Sequence, residues 1–192
     1  MPIENHDLDH FISACRDVAE RHREPADCVR EIAPLMRRLV EGDRAFLKPE
    51  HLRSDPQHYA RNAIYLPKDG RLSLFAIVWE PGQWTPVHDH GTWGVVGVIE
   101  GVLEEHNMIR TDNGDPNRDD GIVLARGGII LLPEGAVSSF VPNPDHIHKT
   151  GVAETSPRTV SLHLYGRELS SFHIYDLATG CRTLIDVPHN ES

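Results

Sequence analysis

Cysteine is scarce: the 192 residues hold three, Cys15, Cys28 and Cys181, odd in number and far apart. That excludes a disulfide framework and a cysteine-based metal motif, and points to a reducing cytoplasm as the setting. No hydrophobic run approaches the ~20 residues that a membrane-spanning helix needs. The first ten residues are polar and acidic, so no secretory signal is expected. Basic charge is also short, with 19 Lys and Arg against 29 Asp and Glu and a formal net charge of −10. Nucleic acid and anionic membrane need clustered cations, so neither is expected as a partner. A small anionic substrate remains open, because one buried arginine can outweigh the global field locally. Repeats, low-complexity tracts and linkers are absent, and the length suits a single domain over residues 1–192.

What is present falls into two regimes. Leu8, Phe11, Ile12, Cys15, Val18 and Ala19 recur at helical spacing, and Val29, Ile32, Leu35, Met36, Leu39 and Val40 repeat the pattern. Pro34 is expected to break or restart the helix, and Gly42 to stop it. From about residue 57 the period becomes two, with β-rich runs at 62–66, 72–79, 93–100, 101–110, 129–132, 159–165 and 171–176. Turn-forming segments such as Pro67-Lys68-Asp69-Gly70 separate them. The expected fold is mainly β, a barrel or sandwich at 57–176 beneath a helical N-terminal cover at 1–45.

The most specific segment surrounds His88-Asp89-His90. Histidines at i and i+2 of an extended chain project to the same side, so both imidazoles can reach one metal ion. Thirteen histidines make abundance alone uninformative. A His-rich surface loop would not explain the regular frame of Gly82, Pro86, Gly94 and Gly101 around the pair.

Gly82, His88, His90 and Gly101 match the first motif of the cupin superfamily, except that Gly94 stands where a Glu ligand is usual. Gly127, Pro133 and Gly135 match the start of the second motif, but Ser138 occupies its histidine position and the candidates come later, at His146 and His148. A three-His site without Glu resembles the cysteine dioxygenase family of thiol dioxygenases. Tyr59-Ala60-Arg61-Asn62 and Ser161-Leu162-His163-Leu164-Tyr165 resemble two further motifs of that family.

The resemblance implies a cupin (double-stranded β-helix, jelly-roll) barrel holding iron(II) on His88, His90 and a third histidine. Period alone leaves His146 and His148 open. In the family the third ligand lies thirteen residues before the triad Ser and precedes a basic residue, which favours His148, followed by Lys149. Ser161, His163 and Tyr165 are then the catalytic relay, Arg61 the clamp on a substrate carboxylate, and Tyr59 its support. Trp93 would border the substrate, where some relatives have His, and Arg158 and Arg167 are reserve cations. The implied reaction joins dioxygen to a thiol sulfur. Gly94 also stands where relatives of the mammalian type carry a Cys crosslinked to the triad Tyr. The expected substrate is therefore a carboxylate-bearing thiol, cysteine or a mercapto acid such as 3-mercaptopropionate. The alternatives are another metal-dependent cupin enzyme, such as a ring-cleaving dioxygenase or an isomerase, and a non-catalytic ligand-binding cupin.

Overall fold

The computed structural model describes residues 6–142 and 146–191. Residues 1–5 of the expected helical cover lie outside the described residues. Two helices come first, α1 (His6–Arg21) and α2 (Pro25–Glu41). The break between them falls at residues 22–24, not at Pro34, which lies inside α2. Proline removes one backbone N–H and so leaves the carbonyl four residues earlier without its partner. Here Pro34 and Arg30 are both exposed, so water can satisfy that carbonyl. Pro25 instead opens α2, where its missing N–H costs no helical bond.

Ten strands follow: β1 (Ala60–Tyr65), β2 (Ser73–Trp79), β3 (Gly94–Glu100), β4 (Val102–Arg110), β5 (Leu124–Pro133), β6 (Val137–Phe140), β7 (Ile147–Gly151), β8 (Thr159–Tyr165), β9 (Ser171–Asp176) and β10 (Cys181–Asp186). The fold is mainly β, as the period predicts. Strands β6, β7 and β10 were not legible as separate runs, because consecutive polar residues, Ser138-Ser139, His148-Lys149-Thr150 and Arg182-Thr183, interrupt the alternation.

One wall of the barrel is a five-stranded sheet in the order β1-β2-β8-β3-β6. The other contains β5-β4-β7 and the β9-β10 hairpin. Extended chain around residues 82–89 closes the gap between β7 and β9, pairing with β7 through Trp84 and His88 and with β9 through His88. The two walls are the facing sheets of a jelly roll.

Alternation assigns each residue of the large sheet to one of two cores. Leu74, Ala76 and Val78 of β2, Val95 and Ile99 of β3, and Val160, Leu162 and Leu164 of β8 face the helices. They meet Phe11, Ile12, Cys15, Ile32, Met36 and Leu39 there. Gly97 permits this contact: a Cβ on it would lie 2.7 Å from Val40 and 2.8 Å from Met36. Phe75, Ile77 and Trp79, with Val96 and Val98, face the barrel interior. Among the described residues, no helix is long and apolar enough to cross a membrane.

Candidate metal centre and its chamber

His88 lies on a broken strand rather than in a regular one, but its backbone is pinned from both sides. Its N–H donates to the His148 carbonyl at 2.8 Å, and the His148 N–H donates back to the His88 carbonyl at 3.0 Å. Residues exchanging both bonds stand directly opposite, with side chains on the same face. This pairing brings His148 to His88, with ring centroids 4.6 Å apart. His90, one alternation further along, lies 4.7 Å from His88 and 5.0 Å from His148 by the same measure. One nitrogen from each of the three rings falls within a group no more than 4.8 Å across.

Asp89, between the two, points the opposite way. Its carboxylate accepts from the Tyr175 hydroxyl at 2.8 Å and contacts His173 Nδ1 at 3.3 Å. It therefore anchors the segment to β9 and is not one of the grouped donors.

The donor atoms suit a metal ion. His88 Nδ1 lies 3.0 Å from the Pro86 carbonyl, which can only accept, so Nδ1 carries the proton and Nε2 keeps its lone pair. Among the described residues, buried His90 Nδ1 and both ring nitrogens of His148 lack a hydrogen-bond partner. Orphaned buried nitrogens are costly unless something binds them. Burial pushes His88 and His90 well below the usual imidazole range, and His148 downward too, so all three are neutral donors.

His146 lies just before β7 and is partly exposed. Its Nε2 sits 3.2 Å from Oε1 of Glu105, and its ring stacks on Phe140 at 4.6 Å. It belongs to a second group, Glu105-His146-His148, that shares His148 with the first. Glu105 was missed by sequence reasoning. The available signal was a carboxylate at the inward position of β4 next after Leu103, where alternation calls for an apolar residue. Burial alone would raise its carboxyl, but the His146 and His148 imidazoles turned to its two oxygens hold it well below the usual range.

Ser161, His163 and Tyr165 form the inward row of β8, which is buried on both faces, so neither face is wet. Ser161 Oγ lies 2.8 Å from His163 Nε2, and His163 Nδ1 lies 3.2 Å from the Tyr165 hydroxyl. Trp79, also unforeseen, donates Nε1–H to Ser161 Oγ at 2.9 Å. An indole nitrogen can only donate, which leaves the Ser161 proton free to go to His163 Nε2 in the tautomer that carries its proton on Nδ1. Burial lowers His163 to about 3, so its ring is neutral and Nδ1–H donates to Tyr165. The Tyr165 O–H is thereby left to donate elsewhere, and burial pushes its pKa upward, keeping the proton on.

Arg61, on β1, is buried and sits 4.5 Å over the Phe75 ring. Its Nη2 donates to the Leu169 carbonyl at 2.8 Å, and Nη1 donates to the carbonyls of Val187 at 3.2 Å and Pro188 at 3.4 Å. Burial lowers its pKa, opposed by Tyr165 and Tyr59; among the described residues no carboxylate offsets its charge. Tyr59 stacks on Trp79, with ring centroids 4.8 Å apart.

Tyr59, Arg61, Trp79, the three histidines, His163 and Tyr165 line one chamber of about 20 Å³, closed by Ile77, Val96, Phe140, Leu169 and Phe172. Tyr59 and Arg61 also line an outer cleft of about 590 Å³ with Trp84, Pro86 and Val187.

Trp93, expected to border the substrate, is not among the residues that line the chamber. It precedes Gly94 by one residue and so takes the opposite face, packing in the core beneath the helices. The reserve cations are elsewhere as well. Arg158 pairs with Glu100 at 3.3 Å, and Arg167 donates to the carbonyls of His90 at 2.9 Å and Ser171 at 3.0 Å.

Gly94 stands opposite Tyr165 on one side and Phe140 on the other. A Cβ there would lie 2.3 Å from the Phe140 ring. Phe140 stacks on His90 at 4.4 Å and fills the space that a side chain at position 94 would need.

The family model of cysteine dioxygenase type I matches residues 17–178. Among solved structures, the chain is similar to a conserved protein with a double-stranded β-helix domain from Klebsiella pneumoniae. Identity is 15%, covering 70% of this chain and 99% of that one, with a TM-score of 0.49. It is also similar to a cupin-like protein from Thermotoga maritima, at 15% identity over 69% of this chain and 82% of that one, with a TM-score of 0.42. These are likenesses of fold.

Proposed function

The chain belongs to the cysteine dioxygenase type I family, and from that premise we propose that it oxidises a small carboxylate-bearing thiol to a sulfinic acid. Both oxygen atoms go to sulfur: RSH and O2 give RSO2H. The sulfur gives up four electrons, so no separate reductant is needed. One observation carries the reading: the three histidines, Arg61 and the relay ending at Tyr165 line the same buried chamber.

His88, His90 and His148 are proposed to hold iron(II). Three neutral nitrogen donors would leave the ion its full charge, and it would supply the place where thiolate and dioxygen can meet.

The remaining roles fall to the chain itself. Arg61 binds the substrate carboxylate, which supplies the negative charge its buried guanidinium lacks. Its bonds to the Leu169, Val187 and Pro188 carbonyls keep the clamp from swinging. Arg61 and Tyr59 stand at the boundary of chamber and cleft, so the acid end lies outward and the sulfur inward. Tyr165 offers its O–H to the reacting oxygen or sulfur, held by Nδ1–H of His163. Phe140, Phe172, Ile77 and Leu169 exclude water.

The test is oxygen uptake by iron(II)-loaded protein given cysteine, 3-mercaptopropionate, mercaptosuccinate and cysteamine, with products identified by mass. The expected result is stoichiometric sulfinate from one of the acids and slower turnover of cysteamine, which lacks the carboxylate. No uptake with any thiol would remove the proposal.

A further inference from the structure

Glu105 lies outside the three-imidazole group, yet it is one of the most deeply buried charges in the protein, at 4% exposure. Its two oxygens face two different histidines. Oε1 lies 3.2 Å from His146 Nε2, and Oε2 lies 3.4 Å from His148 Nδ1. Each oxygen of the carboxylate is thus turned to one imidazole.

His148 differs from His88 in an instructive way. The Pro86 carbonyl fixes the His88 tautomer. Among the described residues His148 has no carbonyl doing this, and the 3.4 Å contact to Glu105 falls short of hydrogen-bond geometry, so both ring nitrogens lack a partner there. One of the two must carry the proton. A proton on the nitrogen facing His88 and His90 would abolish metal binding and leave a buried carboxylate beside a bare lone pair. A proton on Nδ1 faces Glu105 and is stabilised by it.

We propose that Glu105 is a positioning residue for His148: it keeps the proton on Nδ1, turns the Nε2 lone pair toward His88 and His90, and lends the site negative charge. This rests on the reading of His88, His90 and His148 as metal ligands. With glycine at position 94 and the Phe140 ring in the space beside it, that position offers no direct carboxylate ligand. Glu105 supplies a carboxylate one imidazole removed, so that the donors stay neutral while His148 becomes more basic. His146 steadies this carboxylate by occupying Oε1, and its own ring is stacked on Phe140.

The experiment is metal binding, with no substrate present. Metal-free wild type, Glu105→Gln, Glu105→Leu and His88→Ala are titrated with Co(II) against a chromophoric chelator, and the visible cobalt spectrum is recorded. Thermal melting of the metal-free proteins monitors folding. Glu105→Leu should bind about 10- to 100-fold more weakly, the range seen when such partners of metal-bound histidines are removed. Glu105→Gln, which keeps an acceptor but not the charge, should fall between Leu and wild type. The Fe(III)/Fe(II) potential of Glu105→Gln should rise, because lost negative charge disfavours the ferric state, whereas a residue that merely filled space would leave it unchanged.

Wild-type affinity in both Glu105 variants, with affinity lost in His88→Ala, would overturn the role of Glu105 alone. Undiminished affinity in His88→Ala would instead overturn the three-His reading beneath it. If Glu105→Leu does not fold, Glu105→Gln decides: weaker binding with a raised potential supports the proposal, and wild-type behaviour in both overturns it.

Discussion

His88 and His148 are a hydrogen-bonded cross-strand pair, their backbone N–H and C=O groups exchanged at 2.8 and 3.0 Å. Sixty residues apart in sequence, they stand directly opposite in the barrel wall, so the spacing of the two imidazoles is set by backbone. His148→Ala should therefore abolish metal retention while leaving the rung intact. His146→Ala should retain most of the metal, because its Nε2 is turned to Glu105, although its ring packs 4.5 Å from that of His148. Metal content of the purified variants checks both, and the reverse order would name His146 as the ligand.

Arg61→Ala should raise KM for carboxylate-bearing thiols with a smaller change in kcat. A charge-assisted hydrogen bond contributes about 1.5–3 kcal/mol, so the increase should be on the order of 10- to 100-fold. KM for cysteamine should hardly move. Steady-state oxygen uptake with the two substrate types makes the comparison, and an equal effect on both would place the clamp elsewhere.

Trp79→Phe should keep much of the ring stacking on Tyr59 but lose the donor that orients Ser161. The hydroxyl can then turn, and the Tyr165 proton is no longer held in one direction. The expected result is a kcat lowered by about 10-fold, within the range for general acid–base contributions. Because both act through one relay, Trp79→Phe and Tyr165→Phe should combine less than additively. Strict additivity would mean that Trp79 acts by another route.

Gly94→Cys should destabilise the protein by about 1–3 kcal/mol, the usual cost of overpacking. Its Cβ would meet the Phe140 ring at 2.3 Å. Pairing it with Phe140→Ala should recover part of that loss. Denaturant midpoints of the single and double variants check this, and an unaffected single variant would mean that Phe140 moves aside freely.

Acid should weaken the metal-free protein. His163 has a folded pKa of about 3 against an ordinary value of 6.5, and His88, His90 and His148 are also shifted downward. The unfolded chain therefore binds protons first. Stability is full above pH 6.5 and falls as pH drops toward the folded value, by about 1.4 kcal/mol per pH unit for each histidine left neutral in the fold. Urea midpoints at pH 7.5, 6.5 and 5.5 would show it; a flat profile would mean that these rings take up protons without unfolding.

Features carried by local pattern were legible in the sequence. The inward row of β8, the His88 and His90 pair, and the change of period near residue 57 all need only neighbouring residues. What depends on pairing between distant strands was not. Glu105 faces His148 because β4 pairs with β7, and Phe140 faces Gly94 because β6 pairs with β3. Trp93 illustrates a failure of phase: a shift of one residue on β3 separates the chamber from the helix-covered core. Pro34 illustrates solvent exposure rescuing a residue that usually ends a helix.

The contact between Gly94 and Phe140 also couples two design choices. With this ring in place, any side chain at position 94 meets aromatic carbon at once. With Phe140 reduced, His90 loses the ring stacked on it. Introducing a carboxylate or a thiol at position 94 is therefore a two-site redesign, in which the support for His90 must be rebuilt along with the new side chain.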